Sequence, residues 1–213
     1  GNGAIYTIGG NNSNAGGFTV PANVGVVITN LGALGGNLSI GAGTAVTGYT
    51  TTLDYTPTPT NPGTLTTNPT QTWGGNFTFL GTQNLNLGTG AVTLANNPTI
   101  TVNGSPVVYR GTGILTVGGA VGGTSTLTKA GTGRLVLTGT NTFTGNVTVT
   151  GGALVVSSDA GLGNAANTVT LNGATSATAS TSTILPAVLG IDGTFSSART
   201  INLSGIYNTI EVT

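Results

Sequence analysis

The sequence contains no histidine, no cysteine and no methionine, and only four basic and four acidic side chains among 213 residues. Without histidine a serine nucleophile lacks its usual base, and zinc and copper sites lose their commonest nitrogen ligand. Without cysteine there is no disulfide framework, so an extracellular protein of this composition must be held by hydrogen-bond ladders and its core. The lack of methionine and cysteine also removes the readily oxidised side chains. The charges cancel: Arg110, Lys129, Arg134 and Arg199 stand against Asp54, Asp159, Asp192 and Glu211. They form no basic patch for nucleic acid or anionic lipid, and so little charge leaves little repulsion between copies of the chain. No apolar run approaches the ~18 residues of a membrane helix, so no membrane insertion is expected within this chain. No charged start followed by an apolar core reads as a signal peptide. Helix signals are nearly absent because glycine interrupts every window long enough to hold one. The short stretch Asn30 to Gly35, NLGALG, could make a single turn.

What is present is 44 threonines, 38 glycines and 22 asparagines. Such a composition could describe a disordered linker, but the aliphatic residues recur at two-residue spacing, a register that disorder has no reason to keep. The clearest stretch is Thr126 to Val156, TLTKAGTGRLVLTGTNTFTGNVTVTGGALVV. There Leu127, Leu135 and Leu137, Val147 and Val149, and Leu154 and Val156 can each face one side of a short strand, and Val169 and Leu171 continue the series. These are the expected core. Gly131, Gly133, Gly139, Gly145, Gly151 and Gly152 separate the runs and are the expected turns, where positive φ is easily taken.

In chain order, residues 1–49 read as short strands, Ala4 to Ile8, Phe18 to Val20, Val24 to Thr29 and Asn37 to Ile40, divided by Gly and Asn clusters. Residues 50–72 are rich in Thr and Pro, with Pro57, Pro59, Pro62 and Pro69, and read as a loop or linker with Tyr49, Tyr55 and Trp73 as candidate anchors on its flank. From 73 to 213 strand-like runs start seven to fifteen residues apart, which suits coils of roughly 20 to 25 residues. Residues 174–186 form a second small, polar excursion. A flat antiparallel sandwich would give similar strands, but Asn-Gly and Asp-Gly hairpin signals are few, which favours a stack of parallel coils. The chain starts at Gly1 and stops inside a strand-like run, as expected of one continuous solenoid fragment of a longer chain.

No constellation for catalysis emerges. Asp192 and Glu211, nineteen residues apart, are the nearest acids; a turn residue and a solvent-facing strand residue are the expected roles. Asp159 with Asn164 and Asn167 fits no calcium loop, and no helix follows the glycines of 111–123 to make a phosphate cradle. Lys129 and Arg134 flank the AGTG turn and are expected as solvated corner residues that discourage wrong strand pairing. Asn11, Asn37, Asn76, Asn146 and Asn202 begin Asn-x-Thr or Asn-x-Ser matches that this composition produces by chance. Thr-x-Thr pairs recur, at Thr99 and Thr101, Thr124, Thr126 and Thr128, Thr142 and Thr144, Thr148 and Thr150, and Thr168 and Thr170. Ranked on a flat face they could order water, yet their irregular spacing favours the ordinary use of threonine on exposed strands.

Residues 122–156 closely resemble the autotransporter-associated β-strand repeat, with its Leu-Thr-Lys-x-Gly-x-Gly-x-Leu-x-Leu start, Asn-Thr-Phe-Thr-Gly centre and Thr-Val-x-Gly-Gly-x-Leu end. The likeness extends over about 72–173, loosely over 187–213 and hardly over 1–71. It implies a right-handed parallel β-helix, so that with the residue pattern the expected fold is all-β with glycine turns and loop excursions at about 50–72 and 174–186. It also implies a secreted or surface-displayed bacterial passenger and no single activity. The function expected is a non-enzymatic structural or adhesive β-solenoid that builds a surface or matrix fibre by self-association. Its expected partners are other copies of itself, end to end or laterally, or cell-surface glycans, with no cofactor and no metal. The alternatives are a polysaccharide-acting β-helix enzyme, and ice or crystalline-glycan binding through the Thr-x-Thr faces.

Overall fold

The computed structural model describes residues 4–9, 17–29, 36–43, 50–56, 63–104, 113–175 and 184–212. Asn11, the 30–35 stretch, Tyr49, Pro57, Pro59, Pro62 and Arg110 lie outside them.

The described chain is all-β, and its strands stack in parallel into three long sheets. The first sheet has nine strands, at 5–8, 25–28, 52–55, 77–79, 99–102, 127–130, 147–149, 169–171 and 201–203, in that spatial order. A six-stranded sheet runs from 85–86 through 114–117, 134–137, 152–156 and 187–191 to 208–212, and a five-stranded sheet from 18–21 through 38–42, 71–73 and 92–94 to 121–122. Spatial order follows chain order, and each coil adds one strand to the nine-stranded sheet together with a strand of the five-stranded sheet at first, of both other sheets between 77 and 122, and of the six-stranded sheet thereafter, which is the arrangement of a β-solenoid. Register offsets vary from the pair Leu127↔Val147 to the much wider Val169↔Ile201. Insertions at the corners absorb the difference and leave the strand register intact.

Alternation explains why these short runs become strands. In Phe77–Phe79, Val147–Val149 and Val169–Leu171 the outer two residues are buried and the central threonine faces outward. Leu127, Leu135, Val147, Val149, Leu154, Val156, Val169 and Leu171 are fully buried, and Leu137 is nearly so, in one continuous core. Each such aliphatic side chain removed from water is worth ~1.5–3 kcal/mol. The strand Gly152–Val156 is buried on both faces, because Ala153 and Val155 join Val188 and Val136 in a smaller apolar cluster.

The expected loop at 50–72 is narrower than the sequence suggests. Thr52–Tyr55 is a strand of the first sheet and Gln71–Trp73 a strand of the third, with Leu65 in the core between them. Tyr55 and Trp73 are fully buried, not anchors on a flank, and Trp73 packs edge-to-face on Phe77 at 5.3 Å. At 174–186 the chain leaves the stack: Ala174–Thr175 and Ile184–Leu185 pair antiparallel, and the residues between them lie outside those described.

Candidate functional site

The polar groups worth examining sit at the coil corners and on the outer face of the nine-stranded sheet. Lys129 is the most unexpected. Expected as a solvated corner residue, it is instead fully buried. The reason is strand parity: Leu127 points inward, so Lys129 two residues later does too, between Ile100 and Val149 on the adjoining strands. Its Nζ donates to the carbonyls of Ala130 at 2.7 Å, Gly131 at 3.1 Å and Gly151 at 3.0 Å. Three donors meet three acceptors across two consecutive corners, which ties one coil to the next. Burial nonetheless pushes its pKa down to about 7.

Gly131 and Gly152 take positive φ, 79° and 62°, as the turn reading requires. Gly139 and Gly145 serve for another reason, since a Cβ there would come within 2.4 Å and 2.3 Å of the preceding coil's backbone. Gly133 and Gly151 are likewise flanked by backbone oxygens of the preceding coil.

Near the far end, Arg199 bridges to Asp159 in the one ion pair among the described residues, at 2.8 Å. Its guanidinium also donates to the carbonyls of Asp159, Leu162, Gly163 and Asn164, so it closes over the single-turn 3-10 helix Asp159–Leu162. The arginine side chain is 1% exposed and Asp159 30% exposed. The guanidinium holds the Asp159 carboxyl below its ordinary range. This carboxylate is thereby taken, and Asn167 donates to Phe143 and Leu162 carbonyls, so the trio considered for calcium serves the fold. Among the described residues no group of three or more acidic side chains could hold a metal. Asp192 lies just beyond the strand 187–191 and Glu211 within the neighbouring strand 208–212, opposite Gly190.

Asparagines cap the corners. Asn76 accepts from the Thr99 N–H at 2.8 Å, Asn97 from Thr126 at 3.0 Å and Asn146 from Thr168 at 3.0 Å, each one coil on. Buried Asn141 accepts from Val121 N–H and donates to Gly161 O, so it links the coils on both sides. In Asn76-Phe77-Thr78 and Asn146-Val147-Thr148 the glycosylation-like pattern is therefore strand grammar: a corner cap, a core residue and an outward threonine.

The threonines are more regular in space than along the chain. Thr99, Thr128, Thr148 and Thr170 lie opposite one another on successive strands, and Asn202 follows them. A second column holds Thr52, Thr78 and Thr101. Ranks are ~4.8 Å apart because that is the strand spacing of any sheet. Thr126 and Thr142 fall at corners and do not join the columns; their N–H groups bond to Asn97 and Val121. Where the columns begin, a pocket of about 310 Å³ opens between the first and third sheets, lined by Asn23, Thr50, Asn76, Thr78, Thr99 and Thr101.

Residues 127–156, the stretch that holds Lys129 and its glycine corners, match the family described as passenger-associated-transport-repeat. Residues 127–156 carry a passenger-associated transport repeat. The repeat spans the strands 127–130, 134–137, 147–149 and 152–156, one full coil and the first half of the next. Its lysine acts with Gly131 and Gly151 at one pair of stacked corners. Over 82 residues the chain is 45% identical to a protein named adhesin BmaC autotransporter, from Brucella suis biovar 1 (strain 1330). That match takes in 38% of this chain and 2% of that protein, so the chain spans a small fraction of its relative's length. No solved structure matches it.

Sequence reasoning missed the inward lysine, although the alternation starting from Leu127 contains the signal. It also missed the Arg199 clasp, which joins residues 40 apart and has no local signature.

Proposed function

We propose that this chain is a segment of the extracellular shaft of a bacterial surface adhesin, a non-enzymatic β-solenoid continuous within a longer polypeptide. The observation that carries the reading is the passenger repeat built into a sparsely charged, net-neutral parallel stack, together with a relative whose name is that of an adhesin. Such a shaft needs length and rigidity. Parallel coils supply both, because each internal strand pairs on both edges and every coil repeats the same contacts.

Self-association deepens this reading. Ile5 and Tyr6 at one end, and Leu203, Ile206, Tyr207, Ile210 and Val212 at the other, are each between about half and two-thirds exposed. Within the longer polypeptide these edges would seat further parallel coils, and in the isolated chain the same edges and apolar side chains can seat a second copy. The threonine columns favour a second reading, lateral binding of ice or a crystalline glycan, which thermal hysteresis in purified protein would reveal. For an enzyme, the pair Asp192 and Glu211 would be the candidates, and turnover of a glycan lost in Asp192→Asn would establish it.

The test of the main reading is binding of purified chain to host cells and to itself. Adherence to cells, with sedimentation that grows with concentration and short filaments under electron microscopy, is the expected result. A monomer at high concentration that adheres to no cell or glycan would overturn it.

A further inference from the structure

The pocket at the head of the threonine columns has features that the shaft itself does not need. Its volume of about 310 Å³ lies at the small end of ligand pockets, a size for a sugar residue and not for a folded partner. One wall is backbone. Gly41 and Gly75 stack on adjacent coils so closely that a Cβ on Gly75 would sit 2.8 Å from the Gly41 carbonyl oxygen. At Gly43 a Cβ would meet nothing within 4 Å, so the space in front of that wall is open.

The opposite wall is polar and uncharged. Among the described residues the hydroxyls of Thr78, Thr99 and Thr101 have no hydrogen-bond partner in the protein, although all three are partly buried. Each hydroxyl can both donate and accept, which matches the hydroxyl of a sugar. Asn76 uses its Oδ1 on the Thr99 N–H, which leaves its amide N–H2 as a further donor. Among the described residues no charged side chain lines the pocket. The nearest acid along this sheet, Asp54, is occupied by the Thr82 N–H and hydroxyl, and Lys129 is turned into the core. A lining without charge selects against uronic and sialic acids, whose carboxylates would find no cation.

We infer that this pocket is a binding subsite for a neutral sugar residue of a surface polysaccharide, with Thr78, Thr99, Thr101 and Asn76 as its hydrogen-bonding groups. The proposal rests on the adhesive reading above and gives it a place on the molecule. The columns beyond the pocket extend the same hydroxyl chemistry along the shaft, so further sugars of the chain can lie on them.

The test is calorimetric titration of the folded chain with cellotetraose, chitotetraose and mannotetraose, with trigalacturonate as the acidic comparison. At least one neutral tetrasaccharide is expected to bind in the millimolar range or tighter, unaffected by high salt, while trigalacturonate does not bind. The double variant Thr78→Val, Thr101→Val keeps shape and strand preference. It should weaken that binding by about tenfold or more, because sugar hydroxyls are left unpaired. Thr116→Val, on the six-stranded sheet and outside both columns, should bind as the parent does. A blocking variant, Thr99→Trp, should abolish binding with an unchanged circular dichroism spectrum. Failure of all three neutral sugars, or equal binding by the double variant and the parent, overturns the subsite. Cell adherence retained in the double variant and in excess sugar would remove the pocket yet leave the adhesin reading standing. Sugar binding without cell adherence would do the reverse.

Discussion

The coil at 127–149 and the last coil, 201–212, are built on the same alternating pattern and differ in almost every energetic respect. In the first, Leu127, Leu135, Val147 and Val149 are fully buried. In the second, Leu203, Ile210 and Val212 are 63%, 46% and 66% exposed. The pattern places a side chain, but only a neighbouring coil on each side buries it, so stability here belongs to interfaces between coils more than to coils. The polar devices differ accordingly. The interior coil keeps a cation in its core, Lys129, held by three carbonyls with no acid beside it. Where the stack nears its last coil, Arg199 is held by a carboxylate and four carbonyls.

The largest expected effect tests burial directly. Leu135 packs between Leu115 and Leu154, whereas Ile210 pairs only with Leu189. Leu135→Ala should cost ~2–5 kcal/mol in urea unfolding, from lost transfer energy and the cavity left behind. Ile210→Ala should cost less than about 1 kcal/mol, because its side chain is 46% exposed already. Equal losses at the two positions would show that the terminal coil is covered in solution, which is itself the signature of a docked copy.

A smaller effect separates the two cations by pH. The pKa of Lys129 is about 7 when folded and 10.5 by its ordinary value, so between these the unfolded chain holds a proton that the folded chain lacks. Stability contributed by this residue therefore rises as pH increases from about 7, and below about 7 the full cost of a buried charge is felt. The rise is on the order of a few kcal/mol at most, since the three carbonyls favour the ammonium. Burial raises the pKa of Tyr55, whose unperturbed value is 10.0, so its contribution falls once pH passes that value and the informative window is about 7 to 10. Lys129→Met should flatten the pH dependence of the melting temperature across that window. Asp159 gives a slope of the same sign in an acid window: its carboxyl is held low by Arg199, so its contribution is present above its unfolded value of 3.8 and is lost as pH falls through the folded one. Arg199→Met should remove that acid-side loss and leave the alkaline window unchanged.

Much of this was legible in the residues. Two-residue spacing located the core of 127–156 and the strands near both ends, because a half-buried strand writes its inside and outside directly into the sequence. Where the reading went astray, a residue type outweighed the pattern. Residue type alone points Lys129 to solvent, whereas its parity with Leu127 puts it inside. Tyr55 and Trp73 were assigned to a loop flank because prolines surround them, although both keep strand parity with core neighbours. The threonine columns were illegible for a different reason. Their spacing is set by register across strands, and corner insertions of variable length hide it from any reading along one dimension.

The smallest effect concerns the corner asparagines and sharpens the same contrast between covered and terminal coils. Asn146 accepts from the Thr168 N–H of the next coil, an exposed bond whose loss leaves that amide to water. Asn146→Ala should therefore cost about 0.5–1.5 kcal/mol, the usual net worth of one such bond. Asn202 stands opposite Thr170 in mid-strand and not at a corner, so its side chain caps no described strand. Asn202→Ala should then cost no more than a few tenths of a kcal/mol, as for a surface change away from any such feature. Amide exchange gives the finer readout: the Thr168 amide should exchange faster in Asn146→Ala, while no amide should change in Asn202→Ala. If Asn202→Ala costs as much as Asn146→Ala only at high protein concentration, its side chain has found a partner in a second copy, and the terminal coil is an interface.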